Sequence, residues 1–283
     1  VTVHPRLGCS TITFRRQEFR EALASIAELG FAHIDIGALP GVCDHVTVPF
    51  HGDPDAVADA ASAAGLRVCA VNADPGDLND PHLSDADLAR VLGPLIDTAA
   101  ACGASLVLPC GKADREPLSG DLGADLDQVA RRLLAAADQA AEHGVRVLVE
   151  APHFHRLAHS TERAADLLSR LPAERIGLVF DTSHVSAGGA DEVSWVEQNA
   201  DRIEHVHLRD ALPGDINIGI GRGRADFPGV LVALEEAGYQ GDLILELETR
   251  DVAETDRAAD AARSRDLVGG LLTHAEQGST QSS

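Results

Sequence analysis

Val147-Leu148-Val149-Glu150, Gly177-Leu178-Val179-Phe180-Asp181, Glu204-His205-Val206-His207 and Leu243-Ile244-Leu245-Glu246 decide how this chain is read. Each run ends on a side chain with metal-binding chemistry. The runs recur at about one strand-helix-strand unit, roughly thirty residues or somewhat more. A buried parallel strand is ordinarily apolar along its length. An ionisable group closing each of four such strands is poorly explained by packing and well explained if the strands converge on a cation.

Working outward, the same rhythm covers the chain. Strands are predicted at Leu7–Thr11, His33–Ile36, Arg67–Asn72, Ser105–Leu108, Arg146–Glu150, Ile176–Asp181, Ile203–Leu208 and Leu243–Leu247. Between them, apolar residues three and four apart predict helices, for example Phe19–Leu29 and Leu126–Glu142. Gly30, Gly65, Gly103 and Gly144 close helices, and Ser84 and Ser160 open them. Eight strands alternating with helices imply a parallel sheet, and eight is the number that closes a barrel. The predicted fold is α/β, a single (β/α)8 TIM barrel over residues 1–275, with a frayed polar tail over 276–283. A doubly wound sheet would carry a glycine-rich turn after its first strand, where this chain has Cys9-Ser10-Thr11-Ile12-Thr13. The glycine-rich stretch Gly219–Gly223 follows the seventh strand and reads as a loop that lets backbone approach a ligand, or as a turn.

With 283 residues, 45% of them hydrophobic, the chain can build one large core. Its 23 basic and 45 acidic residues leave a net charge of −22, a field that repels phosphate backbones and anionic lipid. Nucleic acid and membrane are therefore not expected partners. Five cysteines without a CxxC pair argue against a zinc finger or a disulfide framework. No charged-then-apolar leader and no membrane-length run is visible, so the expected location is cytoplasmic.

In a barrel the active site lies at the carboxyl ends of the strands. Glu150, Asp181, His207 and Glu246 would stand on strands five to eight and meet in one quadrant. Three carboxylates and an imidazole suit one divalent cation that accepts oxygen and nitrogen: manganese, cobalt, magnesium or zinc. Singly, each has a plainer role, as a helix cap or a backbone hydrogen-bond partner; the shared phasing argues for a joint one. Period-two alternation puts His205 on the face of His207, and Glu248 on the face of Glu246. His207 is preferred because it lies nearer the mouth. The same criterion favours Glu248, so spacing leaves the eighth strand open.

The second half of the chain resembles a known family. Val149-Glu150-Ala151-Pro152-His153, Asp181-Thr182-Ser183-His184 and His207-Leu208-Arg209-Asp210 are similar to the fifth-, sixth- and seventh-strand motifs of the xylose isomerase-like barrels. These include tagatose and psicose 3-epimerases, inosose dehydratases and endonuclease IV. Gly221-Arg222-Gly223, Asp226-Phe227 and Gly238-Tyr239-Gln240-Gly241 leading to Glu246 resemble the end of that pattern, and this spacing selects Glu246. The resemblance implies a metal-dependent isomerase or epimerase of a small polyhydroxy ketone. Glu150 and Glu246 would exchange a proton beside a metal-polarised carbonyl, through an enediolate. It also implies that His184 contacts a substrate hydroxyl, and that dimers or tetramers are the form of any homo-oligomer.

His153, His155 and Arg156 would rim the pocket, with His45, Asn72, Arg222, Asp35 and Lys112 as further candidates; Trp195 reads as helix packing. A dehydratase of the inosose or 3-dehydroshikimate type is the first alternative, because it begins with the same proton abstraction. Asn217-Ile218-Gly219-Ile220 stands where sugar epimerases often carry an arginine, which counts against a simple ketohexose epimerase. An endonuclease would need histidines where Asp35 and Asn72 stand, and Asp-x-His where Asp215-Ile216-Asn217 stands. A non-catalytic binding subunit would be expected to lack an intact ligand set.

Overall fold

The computed structural model describes residues 3–281. In chain order its strands are β1 (Leu7–Ser10), β2 (His33–Ala38), β3 (Arg67–Ala73), β4 (Ser105–Pro109), β5 (Val147–Glu150), β6 (Gly177–Asp181), β7 (Ile203–Leu208), β8 (Asp210–Leu212), β9 (Asp215–Ile218) and β10 (Leu243–Leu245). The helices are α1 (Phe19–Glu28), α2 (Pro54–Ala63), α3 (Asp85–Cys102), α4 (Leu122–Ala141), α5 (Thr161–Leu168), α6 (Thr182–Ala187), α7 (Glu192–Asn199), α8 (Phe227–Glu236) and α9 (Arg257–Gln281). Eight strands close a parallel barrel in the order β1-β10-β7-β6-β5-β4-β3-β2, with Leu7 opposite Leu243 at the seam. This is a single (β/α)8 TIM barrel.

Local sequence explains the element ends. The Ser84 and Ser160 hydroxyls accept from the amides of Asp87 and Arg163, opening α3 and α5. Gly103 closes α3 in the left-handed region, at φ 63°. The main core lies between strands and helices and includes Leu106, Phe180 and Leu133. A second buried cluster, Ala70, Val107, Leu148 and Val179, comes from alternating positions on β3 to β6 and plugs the barrel interior. Burying one such aliphatic side chain contributes about 1.5–3 kcal/mol.

Two features differ from the sequence-based expectation. Between β7 and α8, where no strand is predicted, the chain forms an antiparallel hairpin, β8–β9. Its signal is local: Leu212-Pro213-Gly214-Asp215 is a turn sequence, and Gly214 has φ 82°. Where polarity predicts a frayed tail from Glu276, α9 continues through Gln281; Ser282 and Ser283 lie outside the described residues. No helix among the described residues is long and apolar enough to cross a membrane.

Candidate metal centre and active site

Strand periodicity builds the site in two layers. Leu148 lies two residues below Glu150, and Val179 two below Asp181, so the apolar pair fills the barrel and the carboxylates emerge at its mouth. His207 and Glu246, just past the end of β10, complete the upper layer. One donor atom from each of Glu150, Asp181, His207 and Glu246 lies within 4.8 Å of the others, and all four residues are buried. Their strands are consecutive around the barrel, which puts Glu150 and Glu246 at the two ends of the arc.

The hydrogen bonds separate the parity pairs. His207 Nδ1 lies 3.0 Å from Glu150 Oε1 and 3.9 Å from Glu246 Oε2. His207 Nε2 faces Asp35 Oδ2 at 2.9 Å, and His205 Nε2 faces the same oxygen at 2.7 Å. His205 is thus the lower histidine, paired with a buried carboxylate on β2, and His207 is the one turned to the cluster. Asn72 donates to Glu246 Oε1 at 3.2 Å and Arg209 donates to Oε2 at 3.1 Å. The other arm of Arg209 donates to Glu248 at 2.9 Å, so Glu248 serves as the partner of that guanidinium and stands outside the cluster.

Two of the unpaired polar atoms lie beside the cluster's carboxylates. Asp181 Oδ1 accepts from the amide of Ser183 at 2.6 Å and caps α6, while Oδ2 is buried without a hydrogen-bond partner. His184 Nδ1 accepts from the amide of Phe154 at 3.1 Å, which puts the ring proton on Nε2. That Nε2 is also buried and unpaired, 3.7 Å from Asp181 Oδ2 and 3.9 Å from Glu150 Oε2. Unsatisfied buried polar atoms are costly, and here both are aimed at the same place.

Electrostatics agrees. Burial, and then the Glu150 charge, raise the Asp181 carboxyl above its ordinary value. Burial raises Glu246, against the opposing pull of His207 and Arg209. Burial alone would lower His207, but the Glu246 charge and the bonds to Asp35 and Glu150 outweigh it and hold the imidazole well above its ordinary value. Each of these shifts favours the protonated form, the state that a cation would displace. Buried oxygen and nitrogen donors, one of them the orphaned Asp181 Oδ2, fit one divalent ion.

The cluster opens into a cavity of about 220 Å³ lined by Glu150, Glu246, Asn72, His153, His155 and Arg156, among others. His153 stacks on His184 with ring centroids 3.8 Å apart, and its Nε2 lies 3.7 Å from Glu150 Oε2. Burial, then neighbouring positive charge, lowers both His153 and His184 well below the ordinary value, so both are neutral at pH 7. Three substrate candidates do not line the cavity: His184, 1% exposed behind His153, and two that stand elsewhere. His45 bonds the carbonyl of Gln17 at 3.0 Å beside Phe19, in a separate surface cleft. Arg222 is drawn to Asp251 and Asp260, at 2.7 and 2.9 Å, and does not line the cavity. Lys112 faces Asp114, and Trp195 packs inside α7 at 2% exposure. The lining residue Asp74 carries no motif signal; only topology brings it to the mouth.

The model of the xylose isomerase-like TIM barrel family matches residues 23–268. The chain belongs to that family. This xylose isomerase-like barrel is 34% identical over 144 residues to rhizopine catabolism protein MocC of Rhizobium meliloti, a match covering 44% of each chain. It is 28% identical over 129 residues to an inosose dehydratase of Geobacillus thermodenitrificans, covering 39% of this chain and 43% of the other. In these matches the chain spans less than half the length of either relative. A ketose 3-epimerase of Arthrobacter globiformis is 23% identical over 261 residues, 89% of this chain and 86% of that one. Among solved structures, L-ribulose 3-epimerase superposes with a TM-score of 0.79 at 20% identity over 98% of both chains. The IOLI protein with a bound zinc atom gives 0.75 at 17%, over 93% of this chain and 98% of that one. These superpositions show the shared fold.

Proposed function

We propose that this barrel is a divalent-metal-dependent isomerase or epimerase of a small polyhydroxy ketone. The observation that carries the reading is the buried arc of Glu150, Asp181, His207 and Glu246, opening into a small cavity. These four residues would hold the ion; manganese, cobalt, magnesium and zinc all suit the donor set. When bound, such an ion supplies Lewis-acid polarisation of a carbonyl and so acidifies the adjacent C–H.

The residues of the chain do the rest. Glu150 and Glu246, at opposite ends of the arc, are placed to take a proton from one side of the substrate carbon and return one from the other. Asn72 and Arg209 fix the Glu246 carboxylate, so its approach is set before substrate arrives. The neutral His184, its ring locked by Phe154 and by stacking on His153, would present Nε2–H to a substrate hydroxyl that reaches past the cavity lining.

A second reading is supported by the inosose dehydratases and by a 3-dehydroshikimate dehydratase of Pseudomonas aeruginosa, 29% identical over 162 residues. The same proton abstraction followed by loss of a β-hydroxyl as water would make the chain a lyase. One experiment separates them: incubate the manganese-loaded protein with ketoses, inososes and 3-dehydroshikimate in deuterated water. Deuterium in a recovered isomer supports epimerisation, and a new ultraviolet-absorbing enone or dienol supports dehydration. Neither product from any compound, with metal bound, would reject both.

A further inference from the structure

Resting on that reading, we infer that the substrate carries no charge: it is a free ketose or a cyclitol ketone, and neither a sugar phosphate nor a keto acid.

The first ground is that the two buried guanidiniums of the cavity already face carboxylates, with only the Nε of Arg209 left over. Arg209, 3% exposed, spends one arm on Glu246 and the other on Glu248. Arg156 pairs with Asp74 and donates to the carbonyl of Gly111 at 3.2 Å. Arg250, largely in solvent at the rim, faces Glu248 at 3.9 Å. Recognition of a phosphate or carboxylate uses an unspent fork of charged donors. Here an anion would have to displace Asp74 or Glu248, or lie beside them in a partly dry cavity, where like charges are costly.

The second ground is independent. In this fold a phosphate cradle commonly forms in the loops after the seventh and eighth barrel strands. The Gly219–Gly223 loop stands there, but its amides are taken by the chain itself. Asp210 Oδ2 accepts from Gly221 and Gly223, both at 2.8 Å, and Asp251 accepts from Gly219 at 3.1 Å. A loop whose glycine amides are already spent on two carboxylates has none to offer a phosphate. What remains in the cavity recognises hydroxyls and C–H faces: the Asn72 amide, the His153 and His155 rings, and an apolar wall including Ile12, Leu39 and Ile216.

The test compares matched pairs on the manganese-loaded protein: D-fructose with its 6-phosphate, D-tagatose with its 6-phosphate, and an inosose with 3-dehydroshikimate. Deuterium uptake from solvent is followed by NMR. The neutral members should exchange with kcat/KM higher by about 100-fold, the size of a few kcal/mol of like-charge repulsion. Asp74→Asn, which leaves Arg156 without a compensating charge, should raise the charged-to-neutral ratio of kcat/KM about tenfold or more. A charged compound exchanging as fast as its neutral partner overturns the inference while leaving the proposed chemistry intact. An unchanged ratio in Asp74→Asn overturns it equally. Exchange with no compound in either set removes the proposed function, and the inference falls with it.

Discussion

Asp35 Oδ2 and His207 Nε2 lie 2.9 Å apart, across the barrel from β2 to β7. A carboxylate on Nε2 holds the ring proton there and leaves Nδ1, which faces Glu150 and Glu246, as the lone-pair donor to a cation. Asp35 is itself held ionised. Burial alone would raise its carboxyl, but the charges and hydrogen bonds of His205 and His207 pull it well below the ordinary range.

Removing that charge should weaken the metal site while sparing the fold. Asp35→Asn is expected to reduce divalent-ion affinity by about 10–100-fold, the usual consequence of losing such a supporting partner. Competition with a fluorescent chelator reads the affinity, and far-ultraviolet circular dichroism reports the fold. Unaltered affinity would show that His207 is oriented by its packing alone.

Metal affinity should depend on pH in a defined direction. The folded, metal-free protein keeps His207 protonated above the ordinary imidazole value of 6.5. That proton contributes stability which is complete below 6.5 and is lost as pH rises through the raised folded value. A cation must displace it, so binding should tighten with rising pH, by up to about tenfold per unit while one proton is released. Calorimetry in buffers of differing ionisation enthalpy counts the protons. Affinity that is flat between pH 6 and 8 would contradict the assignment of His207 as a ligand.

Because the site keeps three carboxylates buried together, a bound cation should stabilise the whole barrel. At a free-ion concentration near 100 times Kd, mass action gives about 2.7 kcal/mol. For a domain of this size that corresponds to a rise in Tm of roughly 4–5 °C. Chelation should reverse the shift, and Asp181→Asn should abolish most of it. Differential scanning calorimetry measures both.

Arg209 joins Glu246 to Glu248 through two arms of one guanidinium. Lysine keeps the charge but cannot span both carboxylates. Arg209→Lys is expected to lower kcat about 10–100-fold, the loss of one charge-assisted hydrogen bond, with metal affinity little changed. Steady-state kinetics beside the chelator assay tests this split; a pure KM effect would place Arg209 in substrate binding instead.

The barrel and the convergence of these strand-end side chains were legible because strand ends repeat a chemical event at a regular interval. Glu150, Asp181 and His207 each terminate a run whose inward positions are otherwise filled. The choice between Glu246 and Glu248 was not legible from spacing, since both share a face. It depends on Arg209, whose reach to both carboxylates appears only once β7 and β10 are neighbours. Arg222 and His45 show the reverse limit. Each lies near the mouth in sequence terms, but local partners, Asp251 and Asp260 for one and the Gln17 carbonyl for the other, draw them away. The β8–β9 hairpin could have been read from its Pro213-Gly214 turn; its short strands lack the alternation that marks longer ones.

The most direct test of the account is a titration of the chelator-treated protein with Mn2+, followed by loss of the free-ion paramagnetic resonance signal. The native chain should take up about one equivalent tightly, and Asp181→Asn and His207→Gln should each lose most of that binding. Failure of the native protein to bind, or binding that survives both substitutions undiminished, would contradict a cation held jointly by Glu150, Asp181, His207 and Glu246.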